Sequence, residues 1–252
     1  MTVDPVRLFQ LGSLGATGLL LVGVVCSSSA LAQGVATDAY DPEDWSLYVR
    51  AGASAAFVSD LNQELSFDPG LAFIESPPTG RSTEFGTSFI PSLAVGVSYP
   101  AGTRTELEYK YIAPNVDLTR ETGGFNSVTG GSEGVAVTPP DDFRAHFLMA
   151  NAYVDVFRSG STALFLGAGV GGGFFNNGFD QTDAAFAYQG RTGISVDVSD
   201  SITLMAEYVY LRTLEMKFGP SAFSAENTVT DPRVVGEPFV MSNVGVSVLF
   251  KF

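Results

Sequence analysis

Apolar and polar residues alternate with a period of two along most of the chain after residue 44. The alternation occurs in eight segments: 45–58, 89–99, 103–113, 143–157, 162–174, 186–198, 202–212 and 240–252. A period of two predicts β-strands with one apolar face. Each segment has at least the roughly 9–11 residues that a tilted strand needs to cross a bilayer. The pattern therefore predicts an all-β fold, an eight-stranded antiparallel up-and-down transmembrane β-barrel.

The connections between these segments alternate between short and long. Short turns rich in Gly, Ser, Pro or Asp lie at 100–102, 158–161 and 199–201, and such residues favour tight turns. The other four connections cover about 59–88, 114–142, 175–185 and 213–239. Outer-membrane barrels have short periplasmic turns and longer extracellular loops. We therefore expect four extracellular loops, with both ends of the barrel domain on the periplasmic side.

The apolar face could point outward to lipid, or inward as in a soluble lipocalin-like binder. Two features favour lipid. Trp45, Tyr99, Phe250 and Phe252 all fall at the predicted periplasmic rim, where membrane barrels carry an aromatic girdle. A lipocalin opening would also place a glycine two residues before the tryptophan, and Glu43 stands there instead.

The polar faces of the strands then line the lumen and carry charged residues. We name them the lumen charge network: Arg50, Glu106, Glu108, Lys110, Asp155, Arg191, Asp197 and Glu207. Eight strands enclose a lumen just wide enough for side chains, so opposite charges are expected to pair and occlude it. Five acids against three bases predict that one or two carboxylates are protonated or in contact with water.

The N-terminus has the features of an export signal. Residues 11–25 form an uncharged apolar run, too short for a spanning helix of roughly 20 residues, and Ala30-Leu31-Ala32 is a small-x-small cleavage site. We predict a signal peptide over 1–32, cut between Ala32 and Gln33. A short periplasmic segment, 33–44, would precede the outer-membrane barrel of 45–252.

Composition excludes several functional classes. The formal net charge of −14 argues against a nucleic-acid partner. One histidine and one cysteine exclude the common His/Cys zinc sites, and we expect neither a metal nor a cofactor. Gly167, Gly169 and Gly172 match a dinucleotide-binding spacing, but a loop rather than a helix follows them. We predict no enzymatic activity and no catalytic residue.

Several stretches resemble the eight-stranded outer-membrane barrels that include the OmpA transmembrane domain, OmpX/Ail and opacity-type proteins, and above all alphaproteobacterial surface antigens. The matching stretches are TELEYKY (105–111), LMANAYVDV (148–156), FLGAGVGGGF (165–174), AYQGRTGISVDVSDSITLMAEYVY (187–210) and GVSVLFKF (245–252). The resemblance implies an integral protein of the outer membrane, inserted by the barrel-assembly machinery. It also implies an assembly signal in the final strand, formed by Val246, Val248, Phe250 and Phe252.

Two groups of residues suggest partners outside the barrel. Arg144 and His146 should face outward near the extracellular rim, either contacting lipopolysaccharide phosphates or forming an interfacial pair with no specific partner. The long loops are acidic; solvated loops are favoured over divalent-cation sites, because no stretch has calcium-loop spacing. We expect contacts with outer-membrane lipids and a host or environmental ligand at the loops. The favoured function is a surface-exposed structural or interaction barrel, resembling an adhesin or antigen. The alternatives are a small porin and, less favoured, a lipid A-modifying enzyme or a soluble binder.

Overall fold

The computed structural model of the protein describes residues 45–66, 79–100, 102–122, 135–137, 142–176, 182–218 and 233–252. The predicted signal peptide 1–32, its cleavage site between Ala32 and Gln33, and segment 33–44 lie outside these residues. None of the described residues belongs to a helix long and apolar enough to cross a membrane.

The described residues form fourteen β-strands. They are β1 (Ser46–Val58), β2 (Leu61–Ser66), β3 (Gly80–Phe85), β4 (Ser88–Tyr99), β5 (Thr103–Ile112), β6 (Val116–Thr122), β7 (Val135–Val137), β8 (Arg144–Ser159), β9 (Thr162–Asn176), β10 (Thr182–Ser199), β11 (Ile202–Thr213), β12 (Met216–Phe218), β13 (Arg233–Gly236) and β14 (Val240–Lys251).

Eight of these strands close into an antiparallel barrel, in the order β1-β14-β11-β10-β9-β8-β5-β4. They coincide with the eight predicted segments to within four residues at either end, so the predicted fold class is confirmed. Two of the short turns contain a glycine with positive φ, Gly102 at 71° and Gly160 at 58°. Glycine adopts this left-handed conformation without the steric cost that a Cβ would impose.

The apolar rows of the strands point away from the lumen. Val246, for example, is 64% exposed, whereas the lumen-facing Glu108 is 0% exposed. A water-soluble barrel would expose its charged face and bury its aliphatic face, so this arrangement is that of a barrel in contact with lipid. Trp45, Phe157, Phe250 and Phe252 are exposed around the end that carries the short turns, as an aromatic girdle requires.

The segments predicted as loops contain regular structure, which corrects the sequence analysis. Strands β12-β13-β2-β3-β6-β7 form a six-stranded antiparallel sheet at the end of the barrel opposite the short turns, and we call it the extracellular sheet after the side predicted for these segments. Its strands come from 59–88, 114–142 and 213–239, and the predicted loop 175–185 is shortened because β9 and β10 extend into it. The strand order follows that of the barrel strands from which these segments emerge. Strands already aligned by the barrel can continue pairing beyond the bilayer, which satisfies their backbone hydrogen bonds.

The sequence signal for the extracellular sheet is short but present. In β2, Leu61 and Leu65 are buried while Asn62 and Glu64 are exposed, which is the alternation of a one-sided strand. It covers only five residues, far fewer than a membrane strand, and acidic and turn-forming residues surround it. A search for membrane-length alternation therefore misses it.

Two apolar clusters fill the lumen on either side of the buried charged residues at its middle. The inner cluster lies toward the short turns and contains Tyr48, Tyr153, Phe165, Met205 and Leu249. The outer cluster runs from the extracellular half of the lumen into the extracellular sheet. Aromatic rings join its two parts: Phe85 of β3 meets Phe143 edge to face with centroids 5.0 Å apart, and Phe143 stacks on Phe239 at 5.9 Å. The barrel and the extracellular sheet thus share one core.

Candidate functional site

Six charged side chains meet in the middle of the lumen, and we call them the central network. They are Arg50 on β1, Glu106, Glu108 and Lys110 on β5, Arg191 on β10 and Glu207 on β11. Each lies on the inward-facing side of its strand, because successive residues of a strand alternate between the two faces. All six are buried, so their charges are removed from bulk water and must be matched within the lumen.

Arg50 contacts all three glutamates of the central network. Its Nε and Nη2 donate to the two carboxylate oxygens of Glu106 at 3.1 and 2.6 Å. Its Nη2 also donates to Glu108 at 2.8 Å, and its Nη1 donates to Glu207 at 3.1 Å. Bidentate arginine–carboxylate pairs are among the strongest hydrogen bonds in proteins, so Arg50 is the main junction of this group.

Arg191 and Lys110 complete the charge pairing. Arg191 donates from Nε and Nη2 to both oxygens of Glu207 at 3.1 and 2.6 Å, and from Nη1 to Glu108 at 2.7 Å. Lys110 Nζ lies 3.4 Å from Glu108 Oε2 and donates to Gln189 at 2.9 Å. Three cations therefore face three carboxylates.

Neutral side chains occupy the remaining acceptor positions of the glutamates. Tyr153 and Tyr48 donate to Glu106 at 2.5 and 3.0 Å. Asn151 donates to Glu106 and to Glu108, and Gln189 donates to Glu108. These residues have the same inward parity as the charges, which was the available signal for finding them in the sequence. A carboxylate with every oxygen engaged is poorly suited to accept a proton from a substrate.

Asp155 and Asp197 do not join the central network, which corrects the expectation of a single group of eight. They lie toward the short-turn end with Arg104, Arg158 and Lys251, and we call these five residues the periplasmic cluster. Arg158 donates to Asp155 at 2.7 Å and to Asp197 at 3.0 Å, and Lys251 donates to Asp197 at 3.2 Å. The acidic excess expected from the sequence is therefore absent from the central network, because two of the five acids pair elsewhere.

A shift in strand register explains why the sequence analysis missed Arg158, whereas Arg104 and Lys251 have the inward parity of their strands. The register of β8 shifts between Asp155 and Phe157, so Arg158 contacts Asp155 despite its opposite parity. The register of β10 shifts between Asp197 and Ser199. A β-bulge cannot be read from alternation, because it interrupts the alternation itself. Arg104 has the parity of Glu106, and this signal was available.

Glycines of β9 make room for the large lumen side chains of β8. A Cβ on Gly167 would lie 2.5 Å from the Tyr153 ring, and one on Gly173 would lie 2.6 Å from the Phe147 ring. These glycines lie in the middle of a strand, whereas dinucleotide binding would need them between a strand and a helix. Among the residues that the structure describes, no group of three or more His, Cys, Asp or Glu side chains is placed to hold a metal ion.

The remaining predicted site residues lie on the outer surface. His146 is exposed; its Nδ1 is 2.8 Å from the Tyr109 hydroxyl, and its ring lies 5.0 Å from that of Tyr111. Arg144 is exposed, with Nη2 3.7 Å from Asp142. In the last strand, Val246 and Phe250 are exposed and Val248 is half-buried, and Phe252 beyond it is 81% exposed.

Residues 79–246 match the sequence profile of a family described as Surface antigen. This match covers more than half of the chain and includes seven of the eight barrel strands in full or in large part. No curated protein sequence matches the chain significantly.

Solved structures of bacterial outer-membrane proteins are similar to the chain at low sequence identity. Neisserial surface protein A is 16% identical, over 83% of this chain and 100% of that one, with a TM-score of 0.48. OprG from Pseudomonas aeruginosa is 10% identical, over 81% and 95%, with a TM-score of 0.49. Ail from Yersinia pestis is 12% identical, over 82% and 97%, with a TM-score of 0.30. The family assignment rests on the sequence profile rather than on these structures.

Proposed function

The chain belongs to the surface antigen family of the cell outer membrane, and from this premise we propose that it is a non-enzymatic display barrel. In this proposal the extracellular sheet presents a fixed surface to partners outside the cell, and the filled lumen passes no solute. The role is that of an adhesin or antigen.

The observation that carries the proposal is the shared core of the barrel and the extracellular sheet. A surface for recognition must be held rigidly, and function commonly resides on segments positioned by a rigid scaffold. Phe85 of the sheet packs on Phe143, which stacks on Phe239 above the lumen, whereas a pore would need the same space to be open. This packing favours display over the alternative of a small porin.

The charge of the extracellular sheet and its flanks indicates the chemistry of a partner. Exposed acids there are Asp60, Glu64, Glu84, Asp117, Glu215 and Glu237. Exposed Arg120 and Lys217 lie among these acids, but the acids outnumber them, and a surface with an excess of one sign attracts partners of the opposite sign. We therefore infer a partner with a basic surface, and a polyanion is a poor fit.

A second contact is proposed with lipopolysaccharide. Arg144 and His146 lie on the outer face at the extracellular end of β8, next to Tyr109 and Tyr111. Arginine pairs well with phosphate oxygens, and tyrosines are enriched at membrane interfaces. Replacing Arg144 and His146 by Gln should reduce co-purification of lipopolysaccharide, and Arg120→Gln on the extracellular sheet is the control. Equal amounts with both variants would contradict this contact.

The display geometry is tested by labelling single cysteines on intact cells. Arg120→Cys, on the exposed face of β6, should react with a membrane-impermeant maleimide. Asp200→Cys, in the short turn between β10 and β11, should react only after the cells are permeabilised. Labelling of Asp200→Cys in intact cells would show that the short turns face outside the cell and would contradict the proposal.

The partner chemistry is tested with surfaces of defined charge. Cells that display the protein should adhere to polylysine-coated surfaces more than cells carrying Glu64→Gln, Glu84→Gln and Glu237→Gln together. Asp200→Asn, which removes an acid at the opposite end, is the matched control and should leave adhesion unchanged. No difference between the triple variant and the wild type would contradict the basic-partner proposal.

A further inference from the structure

The short-turn end of the lumen opens into a cavity of about 310 Å³. Its lining includes the whole periplasmic cluster together with hydroxyl groups, among them Ser98 and Ser195. Short turns lie on the periplasmic side of outer-membrane barrels, so the cavity faces the periplasm. It is separate from the central network, because the Tyr153 and Phe165 rings of the inner cluster lie between Arg104 and that network.

Arg104 is the exceptional residue of this cavity. It is 7% exposed, and its guanidinium carbon lies 5.4 Å from the centroid of the Tyr153 ring and 5.2 Å from that of Phe165. Its Nε and Nη2 have no hydrogen-bond partner among the described residues, and Nη1 contacts only the Met205 sulfur, at 3.8 Å. A guanidinium has five N–H donors, so most of the hydrogen-bonding capacity of this buried cation is unused.

The unused atoms form the edge with which arginine binds oxyanions. Nε and Nη2 present two parallel N–H groups that match the two oxygens of a carboxylate or phosphate. Arg50 uses that edge in this way for Glu106 and Arg191 uses it for Glu207, whereas Arg81 directs the same two N–H groups to one oxygen of Glu121. Arg104 has the same edge without a hydrogen-bond partner, and Arg104 is one of the residues that line the cavity.

The carboxylates of the cavity do not fill this edge. Asp197 accepts hydrogen bonds from Thr203, Arg158 and Lys251, and Asp155 Oδ2 accepts one from Arg158. The remaining oxygen, Asp155 Oδ1, forms an ion pair with Arg104 Nη2 at 3.6 Å, but this distance is longer than a hydrogen bond, and neither atom has a hydrogen-bond partner among the described residues. Three cations against two carboxylates leave the cavity with one net positive charge in a chain of net charge −14.

We propose that this cavity binds a compact oxyanion, a phosphate or carboxylate group, on the Nε–Nη2 edge of Arg104. The ligand balances the unmatched charge and supplies the two acceptors that the fold leaves out. The hydroxyl groups of Ser98 and Ser195 are placed in the same lining to donate to the other oxygens. The site is independent of the display function, because it lies at the opposite end of the barrel.

The test is a titration of the folded wild-type protein in neutral detergent micelles, followed through the ¹⁵N–¹H signals of the arginine Nε groups. The Arg104 signal is assigned by its loss in Arg104→Lys. Inorganic phosphate and acetate are added separately at constant ionic strength, with chloride as the balancing anion. We expect a saturable shift of the Arg104 signal, while the signals of exposed Arg120 and Arg212 change little.

Three outcomes distinguish the sources of the anion. Saturation by phosphate or acetate in lipid-free micelles supports a site for soluble anions. A saturable shift of the Arg104 signal that occurs only when phosphatidylglycerol is added to the micelles assigns the site to a lipid headgroup. A shift that does not saturate, or that equals those of Arg120 and Arg212, overturns the proposal. The titration itself is measured on the wild type, and the Arg104→Lys variant serves only to assign the signal.

A second readout uses stability. Phosphate should slow the unfolding of the wild type and of Arg120→Gln in urea at constant ionic strength, because a ligand that binds the folded state stabilises it. Arg104→Lys keeps the charge but loses the parallel N–H pair, so phosphate should slow its unfolding much less. Equal slowing in Arg104→Lys and wild type would place the effect elsewhere and contradict the site.

Discussion

Arg50 and Glu106 are paired across the lumen, with Nε and Nη2 of the arginine 3.1 and 2.6 Å from the two carboxylate oxygens. The two residues lie on β1 and β5, which are not neighbours, because β4 stands between them in the barrel. Their pairing therefore links strands that share no backbone hydrogen bonds. Together with Arg191 and Glu207 it connects four strands and holds the barrel cross-section at a fixed size.

Replacement of Arg50 by Ala should strongly destabilise the barrel. The change leaves Glu106, Glu108 and Glu207 with less positive charge in a buried setting, and breaking a buried ion pair typically costs about 3–5 kcal/mol. The measurement is urea unfolding in lipid vesicles, with the folded fraction read on unboiled gels. Arg120→Ala, an exposed arginine of the extracellular sheet, is the control and should change the free energy of unfolding by no more than about 0.5 kcal/mol. Equal effects of the two variants would contradict the role assigned to Arg50.

Gly96→Ala should destabilise the barrel through the Tyr48 ring. A Cβ at this position would clash with the backbone carbonyl oxygen of Thr105 and would lie 2.5 Å from Cζ of Tyr48, whose hydroxyl donates to Glu106. The ring must move, and overpacking of this kind costs about 1–3 kcal/mol. Gly190→Ala is the matched control, because a Cβ there meets nothing within 4 Å. In the same assay, Gly190→Ala should change the free energy of unfolding by no more than about 0.5 kcal/mol. A loss of stability in Gly190→Ala that exceeds the loss in Gly96→Ala would contradict the packing argument.

Phe252→Asp should reduce the amount of protein inserted in the outer membrane. The phenylalanine is 81% exposed and follows the last strand, so its side chain contributes little to the core. A charge near the membrane interface costs at most about 1 kcal/mol, so a large loss reflects recognition during assembly rather than stability. Phe157→Asp, another exposed aromatic near the same end, is the control and should insert normally. Normal surface levels of Phe252→Asp would contradict the assembly signal.

The purified wild-type protein should show no steady single-channel conductance in planar bilayers. The inner cluster, the central network and the outer cluster fill successive parts of the lumen, and the cavity at the short-turn end stops at the inner cluster, so we expect no continuous passage through eight strands. The recordings need protein whose folding has been verified by its gel mobility before boiling. Large and reproducible conductance steps would show that the lumen opens, and would favour the porin alternative.

The sequence by itself determined the barrel. Eight alternating segments of membrane length and the three short connections between them are local properties, and the structure contains them as barrel strands and turns. The direction of the apolar face could also be predicted, because Trp45, Tyr99, Phe250 and Phe252 fall at one rim, where a membrane barrel carries its aromatic girdle. With that direction set, parity within the strands placed Arg50, Glu106, Glu108, Lys110, Arg191 and Glu207 in the lumen.

Only the tertiary structure decided how the lumen charges separate into the central network and the periplasmic cluster. It also decided how far the β-structure continues beyond the barrel. Parity states which face a residue occupies, but not its height in the lumen, so Asp155 and Asp197 could not be separated from the central network. The bulge in β8 brings Arg158 to Asp155 against its parity, and alternation cannot show this. The extracellular sheet depends on strands that the barrel has already aligned, so its short segments gain their structure from neighbours distant in the chain. The lack of hydrogen-bond partners for Nε and Nη2 of Arg104 also depends on the tertiary structure, because it is a property of the assembled lumen and not of any one strand.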